Sequence, residues 1–309
     1  MLDLNLGLSP NINFTCKQSR TVDIIGKIIC YNQGKLAEYS YLAGEKHKAL
    51  KETMRGPDRK NISKIKQLRD ELTNFLNIEL KNASDENFKL IKQYFENRSE
   101  KEPRICIKVH NEGMIVPLFR DRRSINDESY PIEANTGFSE IAKKTGYEFL
   151  CNNIPASIKN NSYINARIIP DRLTHYKEQS LIQRLRKIDD VDWANCWKEA
   201  EGEAGERNHP PLETCYKSTL IIPMTLLNNS LSREFIQRFE IEEKVSPRSI
   251  YGFLCFDHQE IDYFDKKPDI TIGYILADML SLYLINSLTY VDYSTTFSAV
   301  EELLAKGSE

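Results

Sequence analysis

The hydrophobic period of this chain first changes at Pro103, and that change limits the folds open to it. Before it, apolar residues recur at spacings of three and four; after it, they alternate. From Thr21, Val22, Ile25, Ile28, Ile29, Leu36, Tyr39 and Leu42 mark an amphipathic helix with a gap at Gln33 and Gly34. Gly56-Pro57-Asp58 breaks it. A second helix carries Ile62, Ile65, Leu68, Leu72, Phe75 and Leu76 on one stripe. Ser84-Asp85 then reads as the N-cap of a third, shorter helix through Phe88, Ile91 and Phe95. Stripes this narrow must be buried against something, so a helical hairpin is expected, packed on itself or on a second copy. Residues 1–20 lack a sustained period and contain a Ser-Pro step, which predicts an irregular arm.

After Pro103, RICIKVH and MIVPLF read as strands joined by a turn at Gly113. FSEIAKKTG is helical and ends at Gly146, YEFLC is a short strand, and NNIPASIKNNSY reads as a polar loop. Residues 172–197 hold a helical pattern in LIQRLRKI, followed by the loose acidic stretch EAEGEAGERNHPP. CYKSTLIIPMTLL and SIYGFLCFDHQ are two strongly apolar strands, and DITIGYILADMLSLYLINSL is a closing helix. This order predicts an α+β domain with an antiparallel sheet rather than alternating βαβ units. The expected organisation is an arm over 1–20, a helical dimerisation or signalling segment over 21–100, a sheet domain over 103–290 and a tail over 291–309.

Several function classes lose their usual anchor. The formal charge of -3 supplies no general attraction to nucleic acid or anionic membrane. The seven cysteines, Cys16, Cys30, Cys106, Cys151, Cys196, Cys215 and Cys255, are odd in number and form no CxxC pair. With no signal peptide, they read as reduced thiols of a soluble cytoplasmic protein. No apolar run approaches the roughly 20 residues that cross a bilayer. Residues 272–288 come closest, and Asp278 marks them as a buried amphipathic helix. His47, His110, His175, His209 and His258 lie too far apart for a metal motif, so no metal is expected. GxGxxG, GxxxxGK[ST] and GxSxG are absent from the sequence.

The last two strands and the closing helix resemble the GAF family. Its pattern of a Ser-x-Leu-x-x-Pro strand, a Gly-x-Leu-x-x-Asp strand, a Phe and an Ala-Asp helix is matched by Ser218, Leu220, Pro223, Gly252, Leu254, Asp257, Phe264, Ala277 and Asp278. Upstream, GFSEIAKKTGYEFLCNNIP resembles the family's helix-then-strand entry. The resemblance spans residues 104–288, with a divergent middle over 167–211. It implies an antiparallel sheet of roughly six strands, helices on one face and a small-molecule pocket on the other. Family members sense cyclic nucleotides, haem, tetrapyrroles, amino acids and other effectors, or serve only to dimerise, and the fold does not choose among these. The Asn-Lys-x-Asp-Glu signature of the cyclic-nucleotide binders is not evident here, and no cofactor is indicated.

By that resemblance the loop region of Cys151, Asn152, Asn153, Tyr163, Asn165 and Arg167 rims the pocket, where amides and a guanidinium suit a carboxylate or phosphate. The same asparagines also suit an ordinary Asx-turn loop. Arg120, Asp121, Arg122 and Arg123 offer either an anion site, with Arg120 and Arg123 as its contacts, or a solvated turn. Trp193 and Trp197, one helical turn apart, fit a lid or plain packing. One branch of the family reduces free methionine sulfoxide with pocket thiols, for which Cys151, Cys196 and Cys215 are available, although their spacing does not reproduce that branch. The sequence-level expectation is a GAF-like small-molecule sensor, a homodimer acting through its oligomeric state or a protein partner in trans, because the chain ends soon after the closing helix. A thiol-dependent reductase and a ligand-free scaffold are the alternatives.

Overall fold

The computed structural model describes residues 10–56, 61–96, 102–111, 113–121, 129–145, 147–165, 216–227, 233 and 248–306. The side chains of 10–19, 144–145, 159, 227, 248 and 288–306 lie outside that description. Two units result, one of residues 1–101 with 282–309 and one of residues 102–281.

The first unit is helical. Helix α1 (Pro10–Arg55) and helix α2 (Ile62–Phe95) run antiparallel, with Asn32 meeting Asn87 and Tyr39 stacking on Phe75 at 6.0 Å. Ile28, Tyr39, Ala43 and Leu50 of α1 bury against Leu72, Leu76, Leu80, Phe88 and Ile91 of α2. Two expectations need correction. Helix α1 starts at Pro10, inside the presumed arm, because proline's fixed φ and missing N–H suit a first turn. Ser84 is not a cap but lies inside α2, its hydroxyl donating to the Leu80 carbonyl at 2.7 Å. Asn32 and Asn87 exchange side-chain amide hydrogen bonds at 2.7 and 3.0 Å, and each also donates to the carbonyl four residues back. This satisfied polar layer interrupts the apolar stripe, so a continuous helix looks like two in the sequence.

The second unit is built on an antiparallel six-stranded sheet in the order β3-β2-β1-β6-β5-β4. Its strands are β1 (Arg104–Asn111), β2 (Met114–Arg120), β3 (Tyr130–Pro131), β4 (Phe149–Cys151), β5 (Ser218–Leu227) and β6 (Arg248–His258). The α+β expectation is therefore met at the level of class. β1 and β6 are central. Leu118 and Tyr251 are the extra residues of two bulges, next to Pro117 and Gly252 respectively. Pro223 sits two residues beyond the last β5 residue paired with β4, where its missing N–H is tolerated.

Two layers cover this sheet, which is why β5 and β6 read as nearly continuous apolar runs rather than clean alternations. Helix α5 (Pro268–Lys306) packs Ile272, Leu276, Ala277 and Leu280 over the face bearing Ile105, Ile107, Leu220, Ile222, Leu254 and Phe256. The same helix continues to Lys306, so the tail expected over 291–309 is helical for most of its length. By length and composition Pro268–Ser287 could cross a bilayer, but half of that stretch is buried inside the protein.

The other face is covered by the segment between β3 and residue 165. It comprises a 3-10 turn (Ile132–Ala134), helix α3 (Thr136–Glu140), a π-type turn (Ile141–Thr145) and helix α4 (Ile154–Lys159). Helix α4 replaces the polar loop expected there. Asn153 caps it by accepting from the Ala156 N–H at 3.0 Å, so an asparagine-rich stretch begins a helix rather than a loop. The helical pattern of 172–197 lies outside the described residues.

Helix α5 approaches the sheet through Gly273, where an added Cβ would lie 2.9 Å from Ile222 Cγ1. Gly273→Ala should gain about 1 kcal/mol of helix propensity but lose about 1–3 kcal/mol to overpacking. A lower melting temperature than wild type is expected in thermal unfolding. A gain would show that the helix shifts freely on the sheet.

Candidate functional site

The covered face of the sheet carries a polar cluster at its centre. Alternation along β1 puts Arg104, Cys106 and Lys108 on this face. The register sets Cys106 opposite Cys255 of β6 and Arg120 of β2. It also sets Arg104 opposite Asp257, and Asp257 opposite Thr219 of β5. Around them close Ile115, Tyr130, Phe138, Ile221 and Phe253, a single buried apolar cluster that includes both thiols.

Lys108 is the most constrained member. It is 7% exposed. Its Nζ donates to the Tyr130 hydroxyl at 3.0 Å and sits 4.8 Å from the centre of the Phe138 ring. Burial alone would lower its pKa, yet Tyr130, Cys106, Cys255 and Asp257 together hold it above the ordinary lysine value. The Thr219 hydroxyl donates to Asp257 Oδ1 at 2.7 Å. Burial raises the Asp257 carboxyl above the usual range, against the pull of Lys108, Thr219, Arg104 and Arg120. Three cations, Lys108, Arg104 and Arg120, act on the Asp257 carboxyl here.

The two thiols behave as a pair. Hydrogen bonding from Cys255 draws Cys106 down to about 7 against burial, with Lys108 and Arg120 helping. Burial pushes Cys255 well up, and hydrogen bonding to Cys106 adds to it. The pair therefore releases one proton early and keeps the second.

A second group lies at the β4 end. Residues 163–165 fold back over α3, with the Thr136 N–H donating to the Ile164 carbonyl at 3.0 Å and the Ile164 N–H to Thr136 Oγ1 at 2.8 Å. Asn165, which bridges to Asn135, donates its amide to the hydroxyls of both Tyr163 and Tyr216. Burial raises the pKa of both tyrosines, and the Asp257 charge raises them further. Cys151 is buried with Ile154, Ile158 and Tyr163, its Sγ 3.4 Å from the Ser157 hydroxyl.

Of the residues singled out in the sequence, Arg120 faces the central cluster, and Tyr163, Asn165 and Cys151 share the β4 end of the same face. Asn152 and Asn153 have structural engagements. Asn152 donates to the Phe264 carbonyl at 2.7 Å and accepts from its N–H at 3.2 Å, while Asn153 caps α4. Arg123, Arg167, Cys196, Cys215, Trp193 and Trp197 lie outside the described residues. His258 is buried, stacks on Tyr263 and accepts from the Glu260 N–H at 3.0 Å, which fits a turn. Among the described residues no group of His, Cys, Asp and Glu is arranged for a metal. Sequence reading missed Lys108, Cys106 and Cys255. The available signal was a lysine two positions from a cysteine in a strand where both alternate with Ile105, Ile107 and Val109.

No protein-family model matches the chain, and no curated protein matches it in sequence. Among solved structures, a type II free methionine-R-sulfoxide reductase from Thermoplasma acidophilum is similar over 69% of this chain and 93% of that one, at 9% identity and a TM-score of 0.34. A free methionine-R-sulfoxide reductase from Neisseria meningitidis in complex with its substrate is similar over 72% and 92%, at 11% identity and a TM-score of 0.35. At those scores the backbones diverge too far for the likeness to bear on this chain's chemistry.

The thiol pair gives a signed pH dependence. Between about 7, where Cys106 titrates, and the ordinary thiol range the folded state holds fewer protons than the unfolded, so this pair's contribution to stability rises with pH. Above that range Cys255 keeps a proton that the unfolded chain loses, and the contribution falls. The melting temperature of wild type minus that of C106S/C255S should therefore peak with pH rather than climb steadily. In Cys255→Ala the thiolate absorbance of Cys106 should titrate higher than in wild type, and an unchanged midpoint would remove Cys255 as its donor.

Proposed function

We propose that residues 102–281 form a GAF-like domain that binds a small anionic molecule on the covered face of its sheet, at Lys108. The supporting observation is the buried Lys108 ammonium beside Tyr130 and Phe138. Holding an ion of that size away from water costs several kcal/mol, and a purely structural core position would be filled more stably by methionine or leucine. Arg104 and Arg120 add positive charge to the same face, and Tyr163, Asn165 and Tyr216 bring neutral polar groups to its β4 end. This combination suits a ligand with one carboxylate or similar anionic group and a polar remainder. The helical unit serves as the dimerising element of a regulatory protein that passes ligand occupancy to a partner in trans. Such a protein works in the cytoplasm.

A second reading, reduction of a small sulfoxide, is favoured by the Cys106–Cys255 pair on the same face. Two thiols would transfer two electrons to the sulfoxide, its oxygen leaving as water and the pair becoming a disulfide that an external thiol reduces again. The thiols first available to this reading included Cys151, and its fit with Ser157 in an apolar cluster supports packing instead.

A thermal-shift panel of small carboxylates, amino-acid sulfoxides and phosphates tests both readings. At least one anionic compound should raise the melting temperature of wild type, and Lys108→Met should lose that rise while remaining folded. Equal rises in wild type and Lys108→Met would place binding elsewhere. Turnover of methionine sulfoxide with dithiothreitol, lost in Cys106→Ser, would establish the second reading, and its absence in wild type would dismiss it.

A further inference from the structure

The Cys106–Cys255 pair has a property that binding at Lys108 does not require. Directly opposed residues of antiparallel strands have Cα atoms about 4.5–5.5 Å apart, inside the roughly 4.4–6.8 Å that a disulfide spans. Both side chains leave the same face of the sheet and lie in one buried cluster, the Cys255 thiol resting on its own strand's Phe253 carbonyl at 3.9 Å. Closing an S–S bond there needs no strand to change register. The thiols are 5% and 2% exposed, so a bulky disulfide donor is a poor oxidant for them and a peroxide, little larger than water, is the suitable class.

We infer that Cys106 and Cys255 form a peroxide-responsive modification site that closes a reversible cross-strand disulfide between β1 and β6. The Cys106 thiolate attacks a peroxide oxygen, breaking the O–O bond, and becomes a sulfenic acid while hydroxide leaves. Cys255 then condenses with the sulfenic sulfur. The S–S bond forms, the S–O bond breaks, and the hydroxyl takes the Cys255 proton to depart as water. The two thiols lose two electrons, and one peroxide becomes two waters once the released hydroxide is protonated. An external dithiol reverses the change.

The Lys108 ammonium and the Arg120 guanidinium favour the attacking thiolate, and Cys255 resolves the sulfenic acid before further oxidation. Oxidation also removes the negative charge that Cys106 shares with Lys108, leaving the face more positive. That last consequence rests on the anion-binding reading, whereas formation of the disulfide does not.

The test uses the full chain, reduced, desalted and treated with one equivalent of hydrogen peroxide, then alkylated under denaturing conditions. The expected products are a species lacking two hydrogens and a linked peptide pair containing Cys106 and Cys255. The exposed Cys30 provides an internal comparison and should remain alkylated in that species. Cys255→Ser should instead accumulate a dimedone adduct at Cys106, and Cys151→Ser should still form the disulfide. Oxidation beginning at Cys30, a linked pair of different cysteines, or mass gain without loss of two hydrogens would overturn the inference. These readouts use no ligand, so a disulfide that forms in a protein with no anion-dependent thermal shift would leave the inference standing and sink the binding proposal.

Discussion

A lysine ammonium held inside the sheet domain is the constraint around which the rest of its covered face is arranged. Lys108 lies on a central strand with neighbours on both sides and a covering segment above, so it cannot reach bulk water by extending its stem. Its charge is tolerable only because Tyr130 accepts one hydrogen bond, Phe138 presents a ring, and Asp257 stands on the adjoining strand. Each of those partners is itself fixed. Tyr130 is held in the short edge strand β3, Phe138 lies in the first turn of a helix capped by Asn135, and Asp257 accepts from Thr219.

The thiol pair depends on that lysine. In an apolar core two cysteines act as small hydrophobes, and burial would raise the pKa of both. The Cys255 thiol, with Lys108 and Arg120 helping, draws Cys106 down, while burial and Cys106 keep Cys255 up although Lys108 pulls it down as well. The buried cation and the thiol pair on this face thus belong to one electrostatic arrangement.

Much of the scaffold was legible in the chain. The change of period at Pro103, the apolar strands around Ile221 and Phe253 and the helix after Pro268 follow from local repeats that survive any tertiary context. Boundaries were less legible wherever polar residues served the interior. Ser84 and Asn87 satisfy the backbone carbonyls of their own helix, Asn153 starts a helix instead of decorating a loop, and Pro10 opens a helix instead of preventing one. In each case the side chain's hydrogen-bonding role depends on where it lies along an element, and composition carries no such position.

The sequence by itself determined the class of the fold and the order of its long strands and closing helix, because those properties depend on residues within a turn or two of each other. Tertiary structure alone decided that Arg104 would meet Asp257, that Cys106 would face Cys255, and that Lys108 would be buried beneath Tyr130 and Phe138. Strand register fixes those meetings, and a slip of one residue would send every one of these side chains to the opposite face. Asn152 is the complementary case: its amide suited a ligand on paper, and only the return of the chain at Phe264 made it a clamp between two segments of the protein.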